Sequence, residues 1–433
     1  KGADLEKVLL VPIDVSKTLQ KSMILNYFGE VIESPFSFMV NRTGMKLLIG
    51  KIDNARNTLQ ADRVFVGIEA TGHYYEDIVR ILIDAGYSVH IINPASTHEE
   101  RKQHLTYTKT DDIDLYLIAE ALIGYKATNA KLSTDVYKQL QNLTRARRSE
   151  INKRSRIKME IRTIHDQIWR EYQGFSILEN NKVKTRKIFS DFWGKASLYL
   201  LNHFPHASQI LELGELGLHQ LSKEHNLKIR KSTIDKLLYA ASESVSKPIE
   251  QLSSELFLLK QKLKDYEWHT QTIKSYELEI ERIFVETIGL LLLTVPGIGL
   301  ITAAEIYCEM GDLSQFTSAN QLIKKAGTNP VIKQSGPEEG YYGRISKQGN
   351  ANLRRAIYNA GRTLSVHNEV LKPFYTRLKE KGKKAGQIYI AMGNKFIKIA
   401  FAMLKNRKPF ECNDPSFNYK QEVSKKLTLP LSA

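Results

Sequence analysis

Cysteine is nearly absent: Cys308 and Cys412 are the only two among 433 residues. Two thiols cannot build a zinc knuckle or a disulfide framework. The expected setting is therefore a reducing, cytoplasmic one, and no N-terminal stretch reads as a signal peptide. Long uncharged runs are equally scarce. One, Ile288 to Ala304, is mostly apolar, but Pro296, Gly297 and Gly299 interrupt it. Glu286 and Glu305 bound it at a length that barely spans a bilayer, so a buried turn between helices is expected instead. No basic amphipathic anchor or lipidation motif points to a membrane. Acidic residues are also in deficit, 47 Asp plus Glu against 63 Lys plus Arg, for a formal charge of +16. Such a surplus favours a polyanionic partner, because each phosphate neutralised by Lys or Arg releases condensed counterions.

The length calls for two or three domains. In the first part, strand and helix patterns alternate. Val8 to Val15, Ser22 to Tyr27, Ser37 to Val40, Val64 to Glu69 and Ser88 to Ile92 read as strands. Gly44 to Leu59, Tyr74 to Ala85 and Asp111 to Tyr125 have helical spacing. An α/β domain with a mixed sheet is predicted. After about residue 130 the patterns become helical. Gln139 to Tyr172 combines apolar residues at helical spacing with Arg145, Arg147, Arg148, Lys153 and Arg154, and Ile249 to Glu286 is a second long amphipathic stretch. Two such helices pack as an antiparallel hairpin or as a dimer coiled coil. The divisions expected are 1–130, 131–287 with a helical insertion at about 175–248, 288–375, and a basic extension over 376–433.

Four carboxylates stand out. Asp14 and Glu69 end strands, and Asp111 and Asp114 lie three apart on one helix face. Carboxylates at the C-terminal ends of core strands face the edge where open α/β sheets build sites. Converging acids repel unless cations neutralise them, and oxygen-only ligands suit Mg²⁺ or Mn²⁺ acting on phosphodiester oxygens. A single Asp at a strand end is more often a turn or cap residue, and Asp111 to Asp114 equally fits a helix cap. The order strand-Asp, strand-Glu, helix DxxD raises the metal reading above those alternatives.

PIDVSK, GIEATGHYYEDI, HIINP and KTDDIDLYLIAEAL together resemble the RuvC-like domain of DEDD transposases of the insertion-sequence 110 and 1111 group. The resemblance implies an RNase H-like fold and a metal-binding, catalytic tetrad of Asp14, Glu69, Asp111 and Asp114, with Asp112 off that face. It departs at Leu115, where the family commonly has a small residue. Downstream, VPGIGLITAAEIY reads as a helix-hairpin-helix turn whose Gly297 and Gly299 let backbone amides approach a phosphate. A ligand-free turn between helices is the alternative.

The stretch KKAGTNPVIKQSGPEEGYYGRISKQGNANLRRAIYNAG resembles the mostly α C-terminal transposase domain of the same family. It implies that Ser335 of QSG attacks the DNA phosphodiester and forms a phosphoserine link. A serine hydroxyl needs activation for this, which the tetrad offers if the two domains meet, across a dimer or tetramer. Ser346 is the rival within the motif. Arg344, Lys347, Asn350, Arg354 and Arg355 suit phosphate contacts, and Arg354 and Arg355 with Asn352 equally fit a solvated helix face.

The resemblance also implies a structured guide RNA that pairs with donor and target DNA. The cationic helix from Arg145 to Lys158 is of the sort that grips phosphates. Tyr172, Phe175, Trp193, Tyr199 and Phe204 are candidates for stacking on bases, although such aromatics are more often core. The leading expectation is an RNA-guided DNA recombinase. A water-using RNase H-like nuclease is the alternative enzyme, and a nucleic-acid-binding protein with structural carboxylates is the non-catalytic one.

Overall fold

The computed structural model describes residues 5–69, 74–92, 111–124, 127–129, 135–180, 182–333, 341–410 and 418–428. The chain divides into two compact units, 1–133 and 134–433.

The first unit is built on a six-stranded sheet. Strands β1 (Val8–Asp14), β2 (Gln20–Asn26) and β3 (Val31–Phe38) form an antiparallel meander, followed by helix α1 (Arg42–Thr58) and strand β4 (Arg63–Glu69). Helix α2 (Glu76–Asp84), β5 (Ser88–Ile92), helix α3 (Asp111–Ile123) and the short β6 (Ala127–Asn129) complete it. The order is β3-β2-β1-β4-β5-β6, with β4 parallel to both β1 and β5. The α/β mixed sheet is thus as expected, with β3 beginning several residues before Ser37. Asn41 caps α1 by accepting the Gly44 amide at 2.8 Å, and Met45, Leu48, Ile52 and Ala55 form its buried stripe.

Side-chain alternation gives the sheet two covered faces. Leu9, Val11, Ile13, Val64, Val66 and Ile68 pack with α1 and α2 through Leu48, Ile52, Ile78 and Leu82. Val8 and Leu10, with Met23 and Leu25, pack against Leu115 and Ala119 of α3. Leu115, the departure from the family pattern, is fully buried here and serves as core.

The second unit begins with the long helix α4 (Asp135–Ile168). A β-hairpin of β7 (Phe175–Glu179) and β8 (Lys182–Arg186) follows, then helices α5 (Lys195–His203), α6 (Ala207–Glu224), α7 (Lys231–Ser242) and the long α8 (Ser253–Phe284). The stretch from 175 was expected to be helical throughout, but its alternating, paired strands break that pattern. α4 and α8 run antiparallel, as the pairs Arg147–Glu277 and Lys262–Glu160 show. They pair within one chain, the first of the two arrangements anticipated. Residues 157–263 enclose one core around Trp169, Tyr172, Leu200 and Leu237.

A second core collects the remainder: a 3-10 turn at Ile288–Thr294, α9 (Leu300–Met310), α10 (Ala319–Ala326), the hairpin β9 (Pro330–Lys333) and β10 (Tyr341–Ile345), α11 (Ala351–His367), α12 (Lys372–Glu380), α13 (Ala385–Asn406) and α14 (Tyr419–Ser424). Phe396, Phe410 and Val423 share this core with Leu140 and Tyr307, so it extends well past residue 376. The apolar run at 288–304 folds as the buried turn expected of it, and no described helix is long and apolar enough to cross a membrane.

α11 and α13 cross at a glycine contact. A Cβ on Gly361 would stand 1.8 Å from the Tyr389 carbonyl oxygen, and one on Gly393 would stand 2.2 Å from that of Ile357. Neither backbone can yield without separating the helices. Gly361→Ala is therefore expected to destabilise the protein by about 1–3 kcal/mol or more through overpacking. A urea titration checks it; an unchanged midpoint would mean that the crossing is looser than the structure places it.

Candidate active-site face and nucleic-acid interface

Register places the strand carboxylates. Ile13 pairs with Ile68 in the parallel β1–β4 ladder, so the next residues, Asp14 and Glu69, are neighbours at the C-terminal ends of adjacent strands. Both have the parity of Val8, Leu10 and Phe65, whose side chains meet α3 rather than α1 and α2. Gly67, of the same parity, faces Leu122 and Ile118 of α3 so closely that a Cβ would stand 2.6 Å from Leu122 Cδ1. Asp14 and Glu69 are half-buried and Asp114 is buried on α3. The three acids therefore belong to one face of one sheet. Asp111 opens α3 one turn before Asp114, but its side chain lies outside the described residues.

Asp112 forms an ion pair with Lys21 at 2.8 Å, consistent with a bystander. Among the described residues, no three His, Cys, Asp or Glu side chains gather closely enough to hold a metal ion. What the fold supplies is an all-oxygen donor set on a shared face, which suits a hard divalent cation in kind.

In the second unit, Gly297 has φ +87° and lies close against the end of α11, where an added Cβ would meet His367 Cβ at 3.2 Å. The turn is tied down from behind: Asn368 donates to the Pro296 carbonyl at 2.9 Å, and Lys426 donates to those of Leu293 and Val295 at 2.7 and 3.0 Å. Gly299 is different. It is exposed at the start of α9, no side chain caps that helix end, and a Cβ there would meet nothing within 4 Å.

Most of the candidate phosphate-binding cations have partners inside the unit. Arg145 makes a two-pronged contact with Glu309 at 2.8 and 2.9 Å, and Arg147 contacts Glu277 at 2.5 and 2.9 Å. Lys153 pairs with Glu150 at 2.7 Å, and Arg154 donates to the Thr270 hydroxyl at 3.4 Å. Arg354 donates to the carbonyls of Ala326 and Lys347, and Arg355 lies 3.7 Å from Glu305. Asn350 caps α11 by accepting the Asn352 and Leu353 amides, and its amide group donates to Glu309 at 2.7 Å. Arg344 and Lys347 remain exposed. The loop carrying Lys347 is pinned to α10: Gly349 has φ +129°, and a Cβ there would strike the Lys325 carbonyl oxygen at 2.2 Å. Ser346 donates to Asn329 at 3.0 Å, whereas Ser335 and Cys412 lie outside the described residues.

Sequence reasoning misses Glu305 and Glu309. Their signal was present: two carboxylates four apart inside an apolar helix, ITAAEIYCEM. Glu309 is only 2% exposed. Burial pushes the Glu305 carboxyl above its ordinary range, against the pull of Arg355, Arg147 and Arg148. Burial likewise pushes the Cys308 thiol up to about 12, which leaves it inert. His165 is fully buried, its pKa is lowered to about 4 by burial, and its Nε2 stands 3.0 Å from the Pro205 carbonyl oxygen.

A raised carboxyl pKa means the folded state holds the Glu305 proton more tightly than the unfolded chain. Its stabilising contribution is then present below the ordinary glutamate pKa and is lost as pH rises through the higher folded value. Glu305→Gln should remove that loss, gaining on the wild type as pH rises above the ordinary glutamate range with a slope of at most one proton per molecule. Urea midpoints across that range measure it, and a difference that is flat with pH would contradict the assignment.

Residues 11–170 match the DEDD transposase family model of the IS110 type, and residues 289–376 match the transposase model of the IS116/IS110/IS902 family. The chain is 34% identical over 122 residues to the pilin gene-inverting protein of Moraxella bovis, covering 28% of this chain and 38% of that protein. It is 27% identical over 184 residues to the transposase for insertion sequence element IS1111A of Coxiella burnetii, covering 40% and 48%. A third relative, the insertion element IS110 uncharacterized 43.6 kDa protein of Streptomyces coelicolor, is 29% identical over 126 residues, covering 29% and 31%. The matched stretches thus span less than half the length of each of these relatives.

Proposed function

The chain belongs to the IS110/IS116/IS902 family of transposases, and from that premise we propose that it is an RNA-guided DNA recombinase with a serine nucleophile and an RNase H-like metal-binding domain. The observation that carries the reading is the shared face of Asp14, Glu69 and Asp114 at one end of a mixed sheet, inside the segment that matches the DEDD model. The meander β1–β3 followed by parallel β4 and β5 suits an RNase H-like fold.

Asp14, Glu69, Asp111 and Asp114 are the residues that would hold Mg²⁺ or Mn²⁺. Such a cation, when bound, supplies charge neutralisation at the phosphodiester oxygens. Asp114 is buried on α3, the helix that covers the side of the sheet shared by Asp14 and Glu69, which supports this role. Ser335 is the nucleophile. Its Oγ forms a bond to phosphorus as the bond from phosphorus to the departing sugar oxygen breaks, and that oxygen leaves with a proton. The phosphoserine ester keeps the bond energy for rejoining, when a second sugar hydroxyl displaces the serine. Exposed Arg344 and Lys347, with the uncapped α9 end at Gly299, are available to position phosphates. Donor and target DNA are the substrates. A structured RNA supplies their sequence choice, and the working form is a dimer or tetramer.

The test is a denaturing gel for a covalent protein–DNA adduct, with cognate donor DNA, flanking RNA and Mg²⁺. Wild type should give an adduct that is lost in Ser335→Ala and without metal, and reduced at least about 100-fold in Asp14→Asn, as removal of a principal electrostatic group does. Cleaved DNA with no adduct, unaffected by Ser335→Ala, would replace this reading with the water-using nuclease.

A further inference from the structure

α4 changes character halfway along its length. Up to Lys153 it directs Arg145, Arg147 and Lys153 onto carboxylates of the same unit. Beyond it the helix presents Arg154, Lys158 and Arg162 at four-residue intervals on one face, rising about 6 Å per step. Among the described residues, none of these three forms an ion pair with a carboxylate. Arg154 donates to the Thr270 hydroxyl at 3.4 Å, and Lys158 and Arg162 meet aromatic rings instead. Lys158 Nζ lies 4.7 Å from the Trp193 ring centroid and 5.6 Å from that of Tyr266. The Arg162 guanidinium lies 5.2 Å from the Phe192 ring and 5.8 Å from that of Trp193. The rings form one continuous patch, with Phe192 and Trp193 centroids 4.9 Å apart and Trp193 and Tyr266 5.0 Å apart. Phe192, Trp193 and Tyr266 are half-buried and Arg162 is exposed, so the patch reaches the surface.

This arrangement works against the fold's own electrostatics. Like charges four apart on a helix destabilise it by about 0.2–0.5 kcal/mol per pair. Lys158 registers the crowding: its pKa is lowered, first by burial and then by Arg154, with Arg162 adding to it and Asp191 opposing. Three cations in a row favour a polyanion with a regular charge repeat. Flat rings with cations on their faces favour bases that are free to stack. A duplex satisfies the first requirement but not the second, because its bases are already stacked.

We propose that this face of α4, together with Trp193 and Tyr266, binds unpaired nucleotides of a single-stranded nucleic acid, with phosphates on Arg154, Lys158 and Arg162 and bases on the rings. It goes beyond the strand-exchange reading and shares no catalytic residue with it.

The test is fluorescence anisotropy of short labelled oligo(U), oligo(dT) and a duplex of matched length. It uses the full chain in EDTA, so that no cleavage intervenes. Wild type should bind the single strands, and Trp193→Leu should weaken single-strand binding more than duplex binding. Arg154→Gln, Lys158→Gln and Arg162→Gln combined should lower the slope of log affinity against log salt by about 2, at about 0.7 per phosphate on a single strand. Trp193→Leu should weaken binding about tenfold at every salt concentration. Trp193→Phe, which keeps a ring in the turn, should keep most of the affinity and the wild-type melting temperature. A preference for oligo(U) or for oligo(dT) supports the proposal in either case and names the strand's chemistry. An unchanged salt slope in the triple variant would overturn it. So would equal losses in Trp193→Leu and Trp193→Phe, a loss of duplex binding in Trp193→Leu as large as its loss of single-strand binding, or displacement by poly-glutamate on equal terms. Ser335→Ala should bind the oligonucleotides like wild type, so the two readings fail separately.

Discussion

Burying a carboxylate costs several kcal/mol unless charged and hydrogen-bonding partners surround it. Glu309 is therefore the constraint around which the second unit is arranged. One of its oxygens accepts from Arg145, and the other from both Arg145 and Asn350. The same contact thus joins the long helix α4, the apolar helix α9 and the first turn of α11. Arg145 is 44% exposed and could satisfy its guanidinium in water; Glu309, at 2%, has no such alternative. The carboxylate therefore dictates the geometry and the arginine adapts to it. Asn350 also caps α11, so the acid fixes where that helix begins and, through it, how the GRISKQGN loop, pinned to the end of α10, enters α11. Lys347 is exposed at that loop because its neighbours are held.

In the first unit the corresponding constraint is parity. The β1–β4 ladder runs without a shift from Val8–Arg63 to Ile13–Ile68. A one-residue slip would send Asp14 or Glu69 to the opposite face, among Ile52, Ile78 and Leu82. The apolar alternation that fills the two cores therefore also aims the acids, and no separate device is needed to bring them to α3's side of the sheet. Leu115 belongs to the same logic. It follows Asp114 directly and points into the Val8–Leu10 cluster, locking the rotation of α3 about its axis. A large residue at that position anchors the helix that carries the acids, which is compatible with a metal-binding role for Asp114.

The strands and the long helices were legible because their periods are regular: β-branched alternation in VLLVPIDV and VFVGIE, and apolar spacing along α4 and α8. The hairpin at Phe175–Arg186 was not, since β8 is polar and exposed throughout and neither strand has a fully buried residue, with Leu178 and Val183 each 72% exposed. Little hydrophobic signal marks such a segment. The carboxylate positions on β1, β4 and α3 could be read from strand ends and helix spacing, and the observed register agrees with a shared face. The fate of the basic residues could not be read. Arg145, Arg147 and Arg154 look alike in sequence; only the three-dimensional positions of Glu309 and Glu277, more than a hundred residues away, separate scaffold from surface. Charge composition counts cations without saying which are already neutralised.

That separation bears on how a protein of net charge +16 is organised. An excess of cations raises the energy of any compact state through self-repulsion. The fold relieves part of it by pairing Arg145 and Arg147 with carboxylates where helices meet, and among the described residues it sets Lys158 and Arg162 against aromatic rings rather than carboxylates. Along α4 the change falls between Lys153, paired with Glu150, and Lys158, set against Trp193. The paired half runs beside α9, whose glutamates are buried. The unpaired half runs beside the Phe189–Trp193 turn, whose rings offer a cation a favourable face without cancelling its charge. Aromatic partners thus keep Lys158 and Arg162 in place while leaving their positive potential intact. Carboxylates could not do both, because an ion pair that fixes a cation also removes the field by which it would attract a phosphate.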